Sequence, residues 1–273
     1  MVMKKKTGAM LCPNCNRLIS VSAKACIHCG WKNYGVSGLS TGFEKAIKSF
    51  GGLVPVLMAV CIFFYIVSLL LDLSNLLNPQ GLFGFLAPGG AALYRLGMTG
   101  VYPMSQGKWW TLITAIYLHG GLLHILFNMI WLRNTGYAVE ELFGTSRAFL
   151  IFTLSGIIGF LASNLLGVMF TIGASGSVFG LLGALIYYGR RRGGSFGEAI
   201  FRQVGSWALM AFVFGFLIPG INNWAHAGGF LGGYLAAWLL GFQEKQRETN
   251  VHRHLAVFTA LLTLVAFLLA LFY

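Results

Sequence analysis

The sequence predicts an all-α polytopic membrane protein preceded by a small cysteine-bearing segment. Three observations lead there. The 273-residue chain is 57% hydrophobic and only 10% charged, with a mean hydropathy of +0.74, a balance outside the range of soluble globular domains. Its apolar residues gather into seven runs, near 53–71, 112–133, 148–170, 175–189, 204–221, 224–242 and 255–273, and about 20 such residues let a helix cross the hydrocarbon. Ahead of the first run stand Cys12-Pro13-Asn14-Cys15 and Cys26-Ile27-His28-Cys29.

Residues 1–34 read as a zinc ribbon. Two Cys-x-x-Cys hairpins suit a tetrahedral structural zinc, whose binding energy can fold a segment with almost no apolar core. The expected ligands are Cys12, Cys15, Cys26 and Cys29, with His28 as a possible substitute. Two disulfides are the competing reading, and a reducing compartment on this side of the membrane argues against them. A cytosolic partner is one use for the ribbon. Its basic residues Lys4, Lys5, Lys6, Arg17, Lys24 and Lys32 suit anionic lipid as well as nucleic acid, and nucleic acid is not the expected partner. Residues 35–50 read as a linker that meets the membrane surface. Met1–Ser49 is polar and Lys-rich, without the short apolar core of a secretory signal.

Charge placement sets the orientation. With the N-terminus in the cytosol, the inner segments 1–50, 133–147, 190–202 and 243–254 hold every Lys and Arg except Arg95 and Lys108. The positive-inside rule therefore puts Tyr273 outside and explains the net charge of +12 as topology. Cys61, in the first run, reads as packing.

Chemistry is expected within the spans. Ser175 opens the fourth run in Gly173-Ala174-Ser175-Gly176, and Gly180 follows Gly176 at a four-residue step. His226 lies in the sixth run, with Gly229 and Gly233 on its own helical face. Two smooth faces let backbones touch, which a short hydroxyl needs to reach an imidazole at about 2.6–3.2 Å. The bland alternative is that a chain with 37 glycines forms Gly-x-Ser-Gly by chance and that the serine bonds its own helix backbone. None of the seven carboxylates belongs at the depth of His226, so the expectation is a Ser175–His226 dyad, its ring oriented by packing or by a neutral polar group. Phe179, one turn below Ser175, is placed to pack against the imidazole. His124 and Asn128 share one face of the second run; with the backbone N–H of Ser175 they would make a three-donor oxyanion pocket, or else a plain helix–helix hydrogen-bond pair.

The ordered set His119, His124-x-x-x-Asn128, Gly173-Ala174-Ser175-Gly176 and Ala225-His226-Ala227-Gly228-Gly229 resembles the rhomboid family of intramembrane serine proteases over roughly residues 53–242. The resemblance implies a six-helix catalytic core over 51–243, with Ser175 as nucleophile, His226 as general base, and His124 and Asn128 around the oxyanion. His119, Phe179, Gly173, Gly176, Gly229 and Gly233 would support the site. Residues 244–273 would add a cytosolic loop and a seventh transmembrane helix. The implied substrates are single-span membrane proteins cut near the outer surface of the bilayer, in a bacterial plasma membrane, without a cofactor for catalysis. Glu140 matches a family acid of structural role. Two departures stand out: Trp110 is followed by Thr111 where the family often has Arg, and Phe179 replaces a common Tyr. The alternatives kept open are an inactive relative that binds transmembrane helices, and a transporter. A metalloprotease lacks the His-Glu-x-x-His signature.

Overall fold

The computed structural model describes residues 8–12, 15, 17–20, 23–30, 37–73, 84–218 and 220–273. Lys4, Lys5, Lys6, Lys32 and the linker residues Gly35 and Val36 lie outside the described residues. The chain divides into two compact units, Met1–Gly42 and Phe43–Tyr273.

In the first unit, β1 (Ala9–Leu11) pairs antiparallel with β2 (Leu18–Ser20), setting Met10 opposite Ile19. The Cys12 N–H donates to the Arg17 carbonyl at 2.8 Å, closing the turn that carries the first cysteine pair. Among the described residues the buried core is only Cys12, Ile19 and Cys26. A core this small needs a staple.

The second unit is helical. Helix α1 (Ser37–Ser49) enters it from Phe43 onward, and α2 (Leu53–Leu71) follows. Three short helices, α3 (Gly90–Arg95), α4 (Val101–Ser105) and α5 (Thr111–Thr114, extended by a 3-10 turn over Ala115–Tyr117), precede the long α6 (Leu122–Phe143). The rest are α7 (Thr145–Leu165), α8 (Ser175–Arg192), α9 (Gly194–Leu217), α10 (Asn223–Leu240) and α11 (Asn250–Phe272). The long helices α2 and α6–α10 form the six-helix bundle, and α11 is the additional C-terminal helix.

Hydropathy and length alone qualify α2, α7, α9 and α11 as membrane spans, with the broken pair α5–α6 as a fifth. Helix α8 falls short because its 18 residues include Arg190–Arg192, and α10 because Asn223, His226 and four glycines lower its hydropathy. Every residue of α8 from Gly176 to Gly189 is buried, and α10 packs against both α7 and α8. Apolarity is required where a helix faces lipid, and glycine serves where backbones touch.

Several expected boundaries shift. The second run is not one helix over 112–133: the chain bends by 91° between Tyr117 and Leu122, where Gly120 and Gly121 interrupt it. The third run ends at Leu165, and residues 166–174 form a loop turned at Gly167 (φ 82°). The fifth begins at Gly194, so only Gly193 separates it from α8, and the basic stretch 190–202 is largely helical rather than a loop. Nor are residues 43–49 a bare linker. Ile47 is buried, the Phe43 ring lies 6.1 Å from that of Phe149, and Glu44 accepts from Arg253 Nε at 2.8 Å.

Glu140 joins three helices, its oxygens each 3.0 Å from the Leu53 N–H at the start of α2 and Oε1 accepting from Thr145 Oγ1 at 2.9 Å. A carboxylate here also complements the positive end of α2. Helix α8 is short. Ahead of Arg190–Arg192 in its last turn, its apolar part is about 21 Å long at 1.5 Å per residue, less than the about 30 Å of a bilayer's hydrocarbon.

Candidate active site and metal centre

Ser175 is the first residue of α8 and is half-buried. The first intrahelical acceptor of α8 is the Ala174 carbonyl, taken by the Val178 N–H at 2.9 Å. The N–H groups of Ser175, Gly176 and Ser177 thus end the helix at its positive pole, a geometry that favours developing negative charge. His226 sits in the first turn of α10 and is 6% exposed. Its Nε2 lies 2.9 Å from Ser175 Oγ, and the Phe179 ring stacks on the imidazole at 4.3 Å with planes 13° apart.

Glycine makes this approach possible. A Cβ at Gly229 would sit 2.7 Å from the Gly176 carbonyl carbon and 3.0 Å from its Cα, and Gly233 meets Gly180 still more closely. Gly228 and Gly232 turn instead to α7, against Ala162 and Ile158. The α10 glycines therefore serve two interfaces, of which the sequence disclosed one. Helix α7 contributes its own close approach: a Cβ on Gly159 would lie 2.5 Å from the Ala225 carbonyl oxygen.

His124, in the first turn of α6, comes to the serine loop. Its Nδ1 accepts the Gly120 N–H at 3.2 Å. A backbone N–H can only donate, so the ring proton resides on Nε2. That nitrogen faces Gly173, where a Cβ would be 2.6 Å away and where φ is +121°; no other residue satisfies both the space and the conformation. Asn128 is 5% exposed, and its Nδ2 donates to the His124 carbonyl at 2.8 Å. Among the described residues no hydrogen bond joins Asn128 to the serine segment. His119 is fully buried, its ring edge-on to His124 at 5.1 Å, and neither of its ring nitrogens has a protein partner.

Asn223 was not singled out from the sequence. Its Oδ1 lies 3.2 Å from His226 Nδ1. In this orientation it accepts from Nδ1–H and leaves the Nε2 lone pair facing the serine hydroxyl. Three residues before His226 is the same helical face, so Asn223-x-x-His226 carried a readable signal. Asn222, the N-cap of α10, accepts the Ala225 N–H at 3.1 Å and donates to Ser163 and Thr171 at 2.6 and 3.0 Å. It ties the start of α10 to the loop before Ser175.

Residues 106–243 match the Rhomboid domain. The chain belongs to the rhomboid family. It is 39% identical to Rhomboid protease GluP of Bacillus subtilis (strain 168) over 52% of this chain and 28% of that protein. It is 32% identical to the Putative rhomboid protease YdcA of the same organism over 61% of this chain and 85% of that protein. With RHOMBOID-like protein 5 of Arabidopsis thaliana it shares 31% over 66% of each. The match thus spans less than a third of the first relative's length. The rhomboid domain contains the serine and histidine segments; the cysteine segment and α11 lie outside it.

The four cysteines of that segment converge, their sulfurs all within 4.8 Å of one another. Cys12 and Cys29 stand 3.8 Å apart and Cys15 and Cys26 3.6 Å, far beyond the ~2.05 Å of a disulfide. A tetrahedral ion at about 2.3 Å from each sulfur would set sulfurs about 3.8 Å apart. The set fits a metal ion of that kind. His28 is exposed, and its backbone N–H donates to Cys26 Sγ at 3.4 Å, so it supports a sulfur rather than replacing one. Cys61 is buried in the helical core. A cavity of about 530 Å³ lined by Lys48, Gly51, Gly52, Tyr137, Glu140 and Glu141 lies where α1 leads into α2 and includes neither Ser175 nor His226.

Proposed function

We propose that this rhomboid is an intramembrane serine endopeptidase in which Ser175 and His226 form the dyad and single-span membrane proteins are cut near the outer face of the bilayer. The observation that carries the proposal is the 2.9 Å contact between Ser175 Oγ and His226 Nε2, at the start of a helix whose apolar part is shorter than the hydrocarbon is thick. His226 Nε2 takes the hydroxyl proton as Oγ attacks the peptide carbonyl carbon. Asn223 holds the opposite edge of the ring, and Phe179 holds its face. The tetrahedral oxyanion is met by the N–H groups at the start of α8 and by His124 Nε2–H. Asn128 lends its second amide hydrogen or fixes the His124 turn. The imidazolium then protonates the leaving amine, and a water from the outer side, deprotonated by the same ring, releases the acyl group.

A substrate helix hides its carbonyls in its own hydrogen bonds, so cleavage favours segments with Gly, Ala or helix breakers near the outer end of the span. We assign residues 51–243 to the catalytic core, residues 1–34 to a zinc ribbon and the N-terminus to the cytosol, in a bacterial plasma membrane; the basic inner ends support that orientation. Purified protein with a transmembrane reporter substrate tests the reading. Ser175→Ala abolishes cleavage and fluorophosphonate labelling while leaving the thermal transition in place. Cleavage undiminished in that variant overturns the nucleophile assignment, and a wild type that binds the reporter without labelling points to a helix-binding relative.

A further inference from the structure

Lys108 is one of two cations outside the inner segments, and the dyad chemistry does not use it. Its ammonium donates to the Tyr273 carbonyl at 2.7 Å and lies 4.7 Å over the Tyr94 ring. The neighbouring Trp110 ring is 6.1 Å from that of Tyr273. Both contacts join the outer end of α11, which lies outside the rhomboid domain match, to the loop that precedes α6.

Further contacts make the same junction. Phe267 stacks on Phe64 of α2 at 3.8 Å and meets the Tyr117 ring at 5.8 Å. Ala270 Cβ is 3.3 Å from where a Cβ on Gly97 would stand. The loop so held continues into the site by hydrogen bonds alone. Thr114 Oγ1 donates to the Gly97 carbonyl at 2.7 Å, and Thr111 Oγ1 donates to the Lys108 carbonyl at 2.6 Å and lies 3.1 Å from Thr99 Oγ1, from which it accepts. Thr99 and Thr171 exchange backbone bonds of 3.2 and 2.7 Å, and the Gly173 N–H donates to the Ala115 carbonyl at 2.9 Å. Gly173 is the residue on which His124 rests, two positions before Ser175.

We propose that the outer end of α11 is a positioning element for the site, holding the first loop through Lys108, Trp110 and Gly97 so that Ala115 and His124 meet the Gly173–Ser175 turn. Thr111 stands where the resemblance led one to expect an arginine anchor; the anchor here is the seventh helix, with Thr111 bonded inside the loop. This assignment rests on the Ser175–His226 reading for its kinetic effect. The clamp itself is a structural claim with its own readout.

Two variants of the full chain test it in detergent, one overfilling the junction (Ala270→Leu) and one removing the donor while keeping the stem (Lys108→Met), with Lys108→Arg as the conservative replacement. Displacing oxyanion donors by a fraction of an ångström acts on the transition state, so kcat falls about tenfold or more while KM stays within about twofold. Lys108→Arg retains most of the rate. Backbone hydrogen exchange rises over residues 97–120 and stays at wild-type levels in α8 and α10. Wild-type kcat in both variants, or exchange that rises equally in α8 and α10, overturns the proposal. If the wild type itself neither cleaves nor takes up a fluorophosphonate, the protease reading fails, and the exchange pattern alone decides the clamp.

Discussion

Gly229→Ala perturbs the proposed site at its narrowest point without touching a polar group. The new methyl would lie 2.7 Å from the Gly176 carbonyl carbon and closer still to its oxygen, whereas ordinary contact begins near 3.4 Å, so α8 and α10 must part by about 1.3 Å at this level, the shift the oxygen requires. Gly176 adjoins Ser175, and Gly229 is one turn from His226. The same displacement carries the 2.9 Å Oγ···Nε2 contact to about 4.2 Å, beyond hydrogen-bonding range. Misplacement on this scale costs up to about a hundredfold in rate, and overpacking costs about 1–3 kcal/mol of stability. Steady-state cleavage of a transmembrane reporter, the rate of fluorophosphonate labelling and thermal unfolding in detergent measure the three effects together. Gly205→Ala in α9 is the control, since its methyl would meet only Ile186 Cδ1 at 3.7 Å; its rate should equal that of the wild type. A Gly229→Ala protein that labels and cleaves at the wild-type rate would mean that helix contact does not position the dyad.

Three more outcomes are expected. Asn223→Ala leaves the His226 Nδ1–H without its acceptor and lowers kcat by about fivefold to 150-fold, the rate equivalent of about 1–3 kcal/mol for an unpartnered buried donor; Asn223→Asp should retain more of the rate, and equal rates in both variants would remove Asn223 from the site. Burial raises the Glu248 carboxyl above the ordinary carboxylate range, although it accepts the Arg147 N–H. A raised value means that this group favours the fold in acid and loses that contribution as pH rises through its folded pKa. The melting temperature of Glu248→Gln should therefore gain on the wild type from acid to neutral pH; a constant difference contradicts this. Cys26→Ser should reduce bound zinc from about one ion per chain to none and open residues 8–30 to trypsin, as measured by metal analysis and limited digestion. Persistent protection would show that the segment folds without a metal.

Much of this protein was legible in its residues. Long apolar runs, cations gathered between them, paired cysteines and the separated Ser and His motifs are local patterns, and each follows from a local requirement: lipid solvation, the charge asymmetry of membranes, thiolate geometry, or the chemistry proposed for the pair. Phe179 was likewise readable from its single-turn offset from Ser175. The break at Gly120 and Gly121, the docking of residues 43–49 and the early start of α9 were not, because apolar periodicity does not reveal where a chain bends or which helices it packs against.

The sequence alone pointed to the membrane-spanning architecture, the candidate metal ligands and the proposed Ser175–His226 pair, since these depend on residue type and spacing. Three-dimensional packing settled which glycine faces which helix, that Asn223 lies at the back of the imidazole, and that α11 reaches the first loop. Those contacts join residues up to 165 positions apart, as with Lys108 and Tyr273. Pairings at that separation arise only when helices choose neighbours by shape, and no run of neighbouring residues encodes that choice.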